Sequence, residues 1–165
     1  MKGGKLFQLL LNLKPEEWKG LKKMVVSPVY NTNKTVGILL AELEKQKPDF
    51  DPSQKGKELL FKKIWPGKTF NNYKIHRLYT QLTQLVEEYF LLVDQRQHSV
   101  ERKRRLMTIY SKRNLLPFFE KEAKDLTKEL NAFPFRDLEY YRDQIALYEA
   151  IYFRPSLDYY DLNDE

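Results

Sequence analysis

Apolar residues recur at three- and four-residue spacing along most of the chain, and the longest such run, from Asn71 to Val93, organises the rest. Ile75, Leu78, Tyr79, Leu82, Leu85, Val86, Tyr89, Phe90 and Val93 fall on one side, with Thr80, Gln81, Thr83, Gln84, Glu87 and Glu88 between them. This pattern predicts a long amphipathic helix over about 71–93. Asn71 or Asn72 stands where a carboxamide oxygen accepts a free N–H of the first turn, so one of them is the expected N-cap. A helix of this length cannot bury its stripe alone, so the segments on either side must supply the facing surface.

Those segments also read as helices. Lys5 to Leu13 is short and leucine-rich. A second helix starts at Pro15, whose missing N–H costs nothing in a first turn, and buries Trp18, Leu21, Met24 and Val25 before Ser27-Pro28 stops it. Val36, Leu39, Leu40 and Leu43 mark a third, which runs to about Lys47-Pro48. Leu59, Leu60, Phe61 and Ile64 mark a fourth, closed by Trp65-Pro66-Gly67. After the central helix come Val100 to Arg113, then Phe118 to Asn131 with Phe119, Ala123, Leu126, Leu130 and Phe133 at helical spacing. Last is Phe135 to Phe153, with Leu138, Tyr141, Ile145, Tyr148 and Tyr152 as its stripe. No alternating run of β-branched residues reads as a strand. The expected fold is all-α: a bundle over 1–95 around the central helix, antiparallel hairpins over 96–155 of the length used in α-solenoids, and an acidic tail over 156–165.

Composition adds a charge asymmetry. Residues 1–113 carry 23 Lys/Arg against 11 Asp/Glu, and residues 114–165 carry 6 against 12, so a net charge of +6 hides a basic first two thirds and an acidic last third. Such polarity suits an acidic partner, an anionic surface or head-to-tail attraction. The absence of cysteine excludes disulfides, thiolate metal sites and thiol nucleophiles. Leu6 to Leu13 is too short and too interrupted for a membrane span, and no signal-peptide cleavage pattern stands after it.

Ser27-Pro28-Val29-Tyr30-Asn31 with Lys34, then Pro48-Asp49-Phe50, Leu60-Phe61, Ile64-Trp65-Pro66-Gly67-Lys68 and Phe70-Asn71 form a series. This series resembles the N-terminal region of a group of longer all-helical proteins, without an assigned activity, common in Bacteroidetes-type bacteria. Tyr140-Tyr141, Tyr148 and Tyr152 resemble the next region of those proteins. The resemblance implies a bacterial, cytoplasmic protein and a piece of a longer chain, and it transfers no activity.

The sequence holds no complete catalytic constellation. Gly67-Lys68-Thr69 copies the end of a P-loop, but Lys62 stands where that motif needs its first glycine, and no strand precedes it. His76 and His98 are the only imidazoles, too far apart on one helix to share a metal. Glu139 and Asp143, one turn apart beside Arg142, read as a solvated face. No cofactor or metal site is expected, and the chain reads as a non-enzymatic scaffold or protein-interaction module.

The candidate protein interface is Tyr141, Tyr148, Tyr152 and Phe153, since the last helix carries more apolar surface than one neighbouring helix covers. Its expected occupant is another protein, the remainder of a longer chain or a second copy. The alternative reading is a nucleic-acid-binding module that uses Lys62, Lys63, Lys68, Lys74 and Arg77 near the start of the central helix, with Arg102, Arg104 and Arg105.

Overall fold

The computed structural model describes residues 4–153 and contains, among them, eight α-helices and no strand. The helices are α1 (Lys5–Leu11), α2 (Pro15–Val26), α3 (Lys34–Gln46), α4 (Gln54–Ile64), α5 (Asn72–Gln97), α6 (Ser99–Lys112), α7 (Leu116–Asn131) and α8 (Leu138–Tyr152). The fold is an all-α bundle whose longest helix is the central one. The acidic tail over 156–165 lies outside the described residues. Two compact units divide the chain, residues 1–93 and residues 94–165.

In the first unit the stripe of α5 is the core. Ile75, Leu82 and Val86 are fully enclosed, and Leu78, Tyr79, Leu85 and Tyr89 are buried beside them. Asn71 is the cap, its Oδ1 accepting from the Lys74 N–H at 3.0 Å. α2 and α3 bring Trp18, Leu21, Met24, Val25, Val36, Leu39, Leu40 and Leu43 to the same cluster. The Phe7 ring of α1 meets the Tyr79 ring edge-on at 5.6 Å and stacks on Phe50 at 5.6 Å. Burial and the nearby Asp51 carboxylate push the Tyr79 phenol up to about 12.

Local chemistry explains where these helices begin and end. Asn33 Oδ1 accepts from the Thr35 N–H at 3.1 Å, and Ser53 Oγ accepts from the Gly56 N–H at 3.2 Å, so each caps the helix that starts after it. Asn31 shapes the loop before α3: its amide donates to the Val25 and Asn33 carbonyls, and its oxygen accepts from the Asn33 N–H. After α4, Gly67 takes φ 77° as the Lys68 N–H donates to the Trp65 carbonyl. That is the third position of a Pro-Gly turn, where a side chain would be strained. On α4 the expected Leu59 is a correction. It is exposed, and the buried positions are Gly56, Leu60, Phe61 and Ile64.

The second unit is a three-helix cluster in which α6, α7 and α8 each touch the other two. Its core is Met107 from α6, Phe119, Ala123, Leu126 and Leu130 from α7, and Tyr140 and Leu147 from α8. α6 ends on Asn114 at φ 54°, with the Leu115 N–H donating to the Tyr110 carbonyl and the Asn114 N–H to the Ser111 carbonyl. This paired closure satisfies two carbonyls that the helix would otherwise leave open. Pro117 sits in the first turn of α7, where its missing N–H costs nothing. Phe133, expected in the α7 stripe, lies beyond the helix end and is exposed.

One ion pair ties α6 to α7. Lys103 Nζ donates to Glu129 at 2.7 Å, and the Ser99 hydroxyl donates to the same carboxylate. The Lys103 hydrogen bond, then that of Ser99, holds the Glu129 carboxyl below its ordinary value against the opposing effect of burial. The same contact raises Lys103 above the ordinary lysine value. A carboxyl lowered on folding stabilises the fold at pH values above its unfolded pKa and loses that contribution as pH falls through the folded pKa. The raised lysine loses its contribution as pH rises through its own folded pKa. Protection of the amides over 99–131, taken relative to their intrinsic exchange rates, is therefore expected to fall below about pH 4 and above about pH 10.5, the ordinary ranges of the two groups. Glu129→Gln should flatten both limbs, and unchanged limbs in that variant would show that the pair does not hold α6 to α7.

Candidate functional site

α8 forms because its sequence satisfies helix rules at its start and carries apolar residues on two sides. Asp137 caps it, accepting from the Tyr140 N–H at 2.9 Å, and Glu139 lies in the positive first turn. The expected stripe is not the buried one. Leu138, Tyr141, Ile145, Tyr148 and Tyr152 are all exposed, from 52% at Tyr141 to 81% at Tyr152, and α8 docks through Tyr140 and Leu147 with Ala150 packed beside them.

The buried side won because its polar groups find partners and its small ones allow close approach. Asp143 meets Arg104 Nη1 of α6 at 3.5 Å, and Gln144 Nε2 donates to the Tyr140 hydroxyl at 3.1 Å. Ala150 packs against the same cluster. Burial pushes the Asp143 carboxyl above its ordinary value, with Arg104 pulling it back down. The opposite side carries three tyrosines, whose bulk suits a broad contact surface.

Exposed on α8 is therefore a continuous apolar strip on a fully formed helix. Tyr141 is braced by the Tyr140 ring, edge-on at 5.2 Å, and Tyr152 by Phe153, edge-on at 5.0 Å. Phe153, the remaining candidate, is 74% exposed at the C-cap. Arg142 and Glu149 flank the strip, are exposed, and make no ion pair among the described residues. No family model matches the chain, and no curated protein or solved structure is similar to it.

The candidate anion-binding residues fall in both units. Lys62, Lys63, Lys68, Lys74 and Arg77 belong to the first and are exposed. Lys63 is 3.1 Å from Glu42, whose carboxyl Lys45 and Lys63 together hold below its ordinary value. Lys74 and Arg77 line a shallow groove of about 270 Å³ with Trp65, Asn33, Leu78 and Gln81. In the second unit Arg102 is exposed, whereas Arg104 is shared between Glu101 at 3.2 Å and Asp143 at 3.5 Å, and Arg105 pairs with Glu101 at 3.1 Å. Two of the three arginines are thus committed to ion pairs on α6 and between α6 and α8.

A cleft of about 610 Å³ lies between the start of α6 and the α7–α8 turn, lined by His98, Glu101, Phe133, Phe135, Asp137, Glu139, Tyr140 and Asp143 among others. Sequence reasoning misses it because its walls come from the loop residues 133–137, whose apolar members the spacing assigns to helices. Its carboxylates are largely in use: Glu101 and Asp143 hold Arg104, and Asp137 caps α8. Among the described residues no three His, Cys, Asp or Glu side chains are grouped so as to hold a metal ion, and no helix is long and apolar enough to cross a membrane.

Proposed function

We propose that this chain is a non-enzymatic helical scaffold that presents the outer face of α8 to another protein. The observation that supports this reading is the strip from Leu138 to Tyr152: five large apolar side chains in unbroken three- and four-residue spacing, exposed on a rigid, capped helix. Contiguous apolar surface of this kind marks contact sites on folded proteins, and helices dock through such rows into the grooves or helices of a partner. A bacterial, cytoplasmic setting belongs to the same proposal through the resemblance of the Ser27 to Asn31 and Ile64 to Lys68 segments.

The test is a photo-crosslinking residue placed at Tyr148 in expressing cells, with Lys124 on the exposed side of α7 as control. Covalent capture of protein at Tyr148 and not at Lys124 is expected. Equal labelling at both, or none at Tyr148, overturns the reading.

The second reading, nucleic-acid binding, draws on Lys74 and Arg77 sharing one groove with Trp65. Phosphate contacts release counterions, so such binding weakens steeply with salt. Titration against random duplex and single-stranded DNA at two salt concentrations separates the readings. Absence of binding at low salt removes this second one, and binding that is lost in Lys74→Ala/Arg77→Ala would favour it over the scaffold.

A further inference from the structure

We propose that the occupant of the α8 face is the same face of a second copy of this chain, the two helices running antiparallel. The inference rests on the protein-contact reading above and names the partner. Leu138, Tyr141, Ile145, Tyr148 and Tyr152 alternate steps of three and four residues, the spacing of a two-helix seam. In a two-fold antiparallel pair each contact occurs twice, with residue i on j and j on i. Centring that pair between Ile145 and Tyr148 sets Tyr141 against Tyr152 of the second copy and Ile145 against its Tyr148. Each of these four layers then joins a large apolar side chain to another, and Leu138 lies at the end of the seam outside them.

The flanking charges choose the partner and the direction. Arg142 and Glu149 each stand one residue after a seam tyrosine, so both lie on the same flank of α8. Like flanks meet in an antiparallel pair, and Arg142 of one copy then faces Glu149 of the other, twice by symmetry. A parallel pair would set Glu149 beside Gln144 and bring the like ends of the two helix dipoles together, losing both advantages. The face thus carries its own complement in charge as well as in shape. With three tyrosines half to four-fifths exposed, the area two copies would bury is on the order of 1,000 Å², at the low end for specific interfaces. The association is therefore weak and reversible.

Sedimentation of the full chain over a concentration series is the test. A monomer–dimer equilibrium is expected. Arg142→Glu alone and Glu149→Arg alone should each weaken it by about tenfold, since two attractive pairs become repulsive. Mixing the two variants in equal amounts restores opposite charges between the copies and should recover association, a result that neither misfolding nor general loss of solubility mimics. A strict monomer near millimolar concentration overturns the proposal, as does a dimer indifferent to both charge reversals. A strict monomer whose Tyr148 position still crosslinks to a different protein overturns this inference and leaves the scaffold reading standing. A monomer with no crosslink at all overturns both.

Discussion

Leu82→Ala is expected to destabilise the first unit by about 2–5 kcal/mol, the range for truncating a leucine in a closed core. Leu82 is 0% exposed in the middle of α5, in the same buried cluster as Ile75, Leu78, Leu85 and Val86. Both tryptophans, Trp18 and Trp65, belong to the first unit, and Trp18 is buried in the same cluster. Tryptophan fluorescence in a denaturant melt therefore follows this unit alone. Leu91→Ala is the control, since Leu91 is exposed on the same helix and should change stability by less than about 0.5 kcal/mol. Equal losses in the two variants would mean that α5 buries a different face.

Gly56→Ala should also destabilise, against the usual direction for glycine in a helix. Replacing a helical glycine with alanine ordinarily gains about 0.5–1 kcal/mol. At position 56 the added Cβ would overlap the Asp51 carbonyl oxygen and stand 2.7 Å from Asp51 Cγ. The obstacle is backbone, in a turn that Ser53 and Asp51 already fix: the Ser53 N–H donates to Asp51 Oδ1 at 2.9 Å, and Ser53 caps α4. Moving that turn costs about 1–3 kcal/mol as an overpacked site does, so the net loss should be about 1–2 kcal/mol. Gly37→Ala tests the sign. Its Cβ would meet only Val25 Cγ1 at 3.8 Å, an ordinary contact, and stability should rise by about 0.5–1 kcal/mol. A Gly56→Ala variant as stable as the wild type would place Asp51 elsewhere.

The helices were legible where one face is apolar and the other polar. The stripe of α5 and the buried residues of α2 and α3 are set by spacing alone, and Asn33, Ser53 and Asn71 mark starts because a side-chain oxygen there completes an open N–H. The last turn of α5 was not legible: Asp94 and Arg96 are solvated, so the period ends at Val93 while the backbone hydrogen bonds continue to Gln97. α8 failed for the opposite reason. It has apolar residues on two faces, and spacing ranks Leu138, Tyr141, Ile145, Tyr148 and Tyr152 above Tyr140 and Leu147. The docked face sets Asp143 against Arg104, thirty-nine positions earlier, and no local pattern reports such a partner. Surplus apolar surface marks the candidate interface residues in the sequence, while their orientation follows only from the fold. Among the basic residues, charge was legible and commitment was not, since the sequence does not show Arg104 and Arg105 turned onto Glu101.

Gly20 carries a consequence for how this sequence can drift. A Cβ on α2 at that position would overlap the Tyr89 hydroxyl and crowd its ring, so the helix surface there is hollowed to the shape of one side chain of α5. The two positions are coupled: a methyl at 20 fits only if the Tyr89 ring moves aside or a smaller side chain replaces it. Pairs linked in this way are slow to substitute.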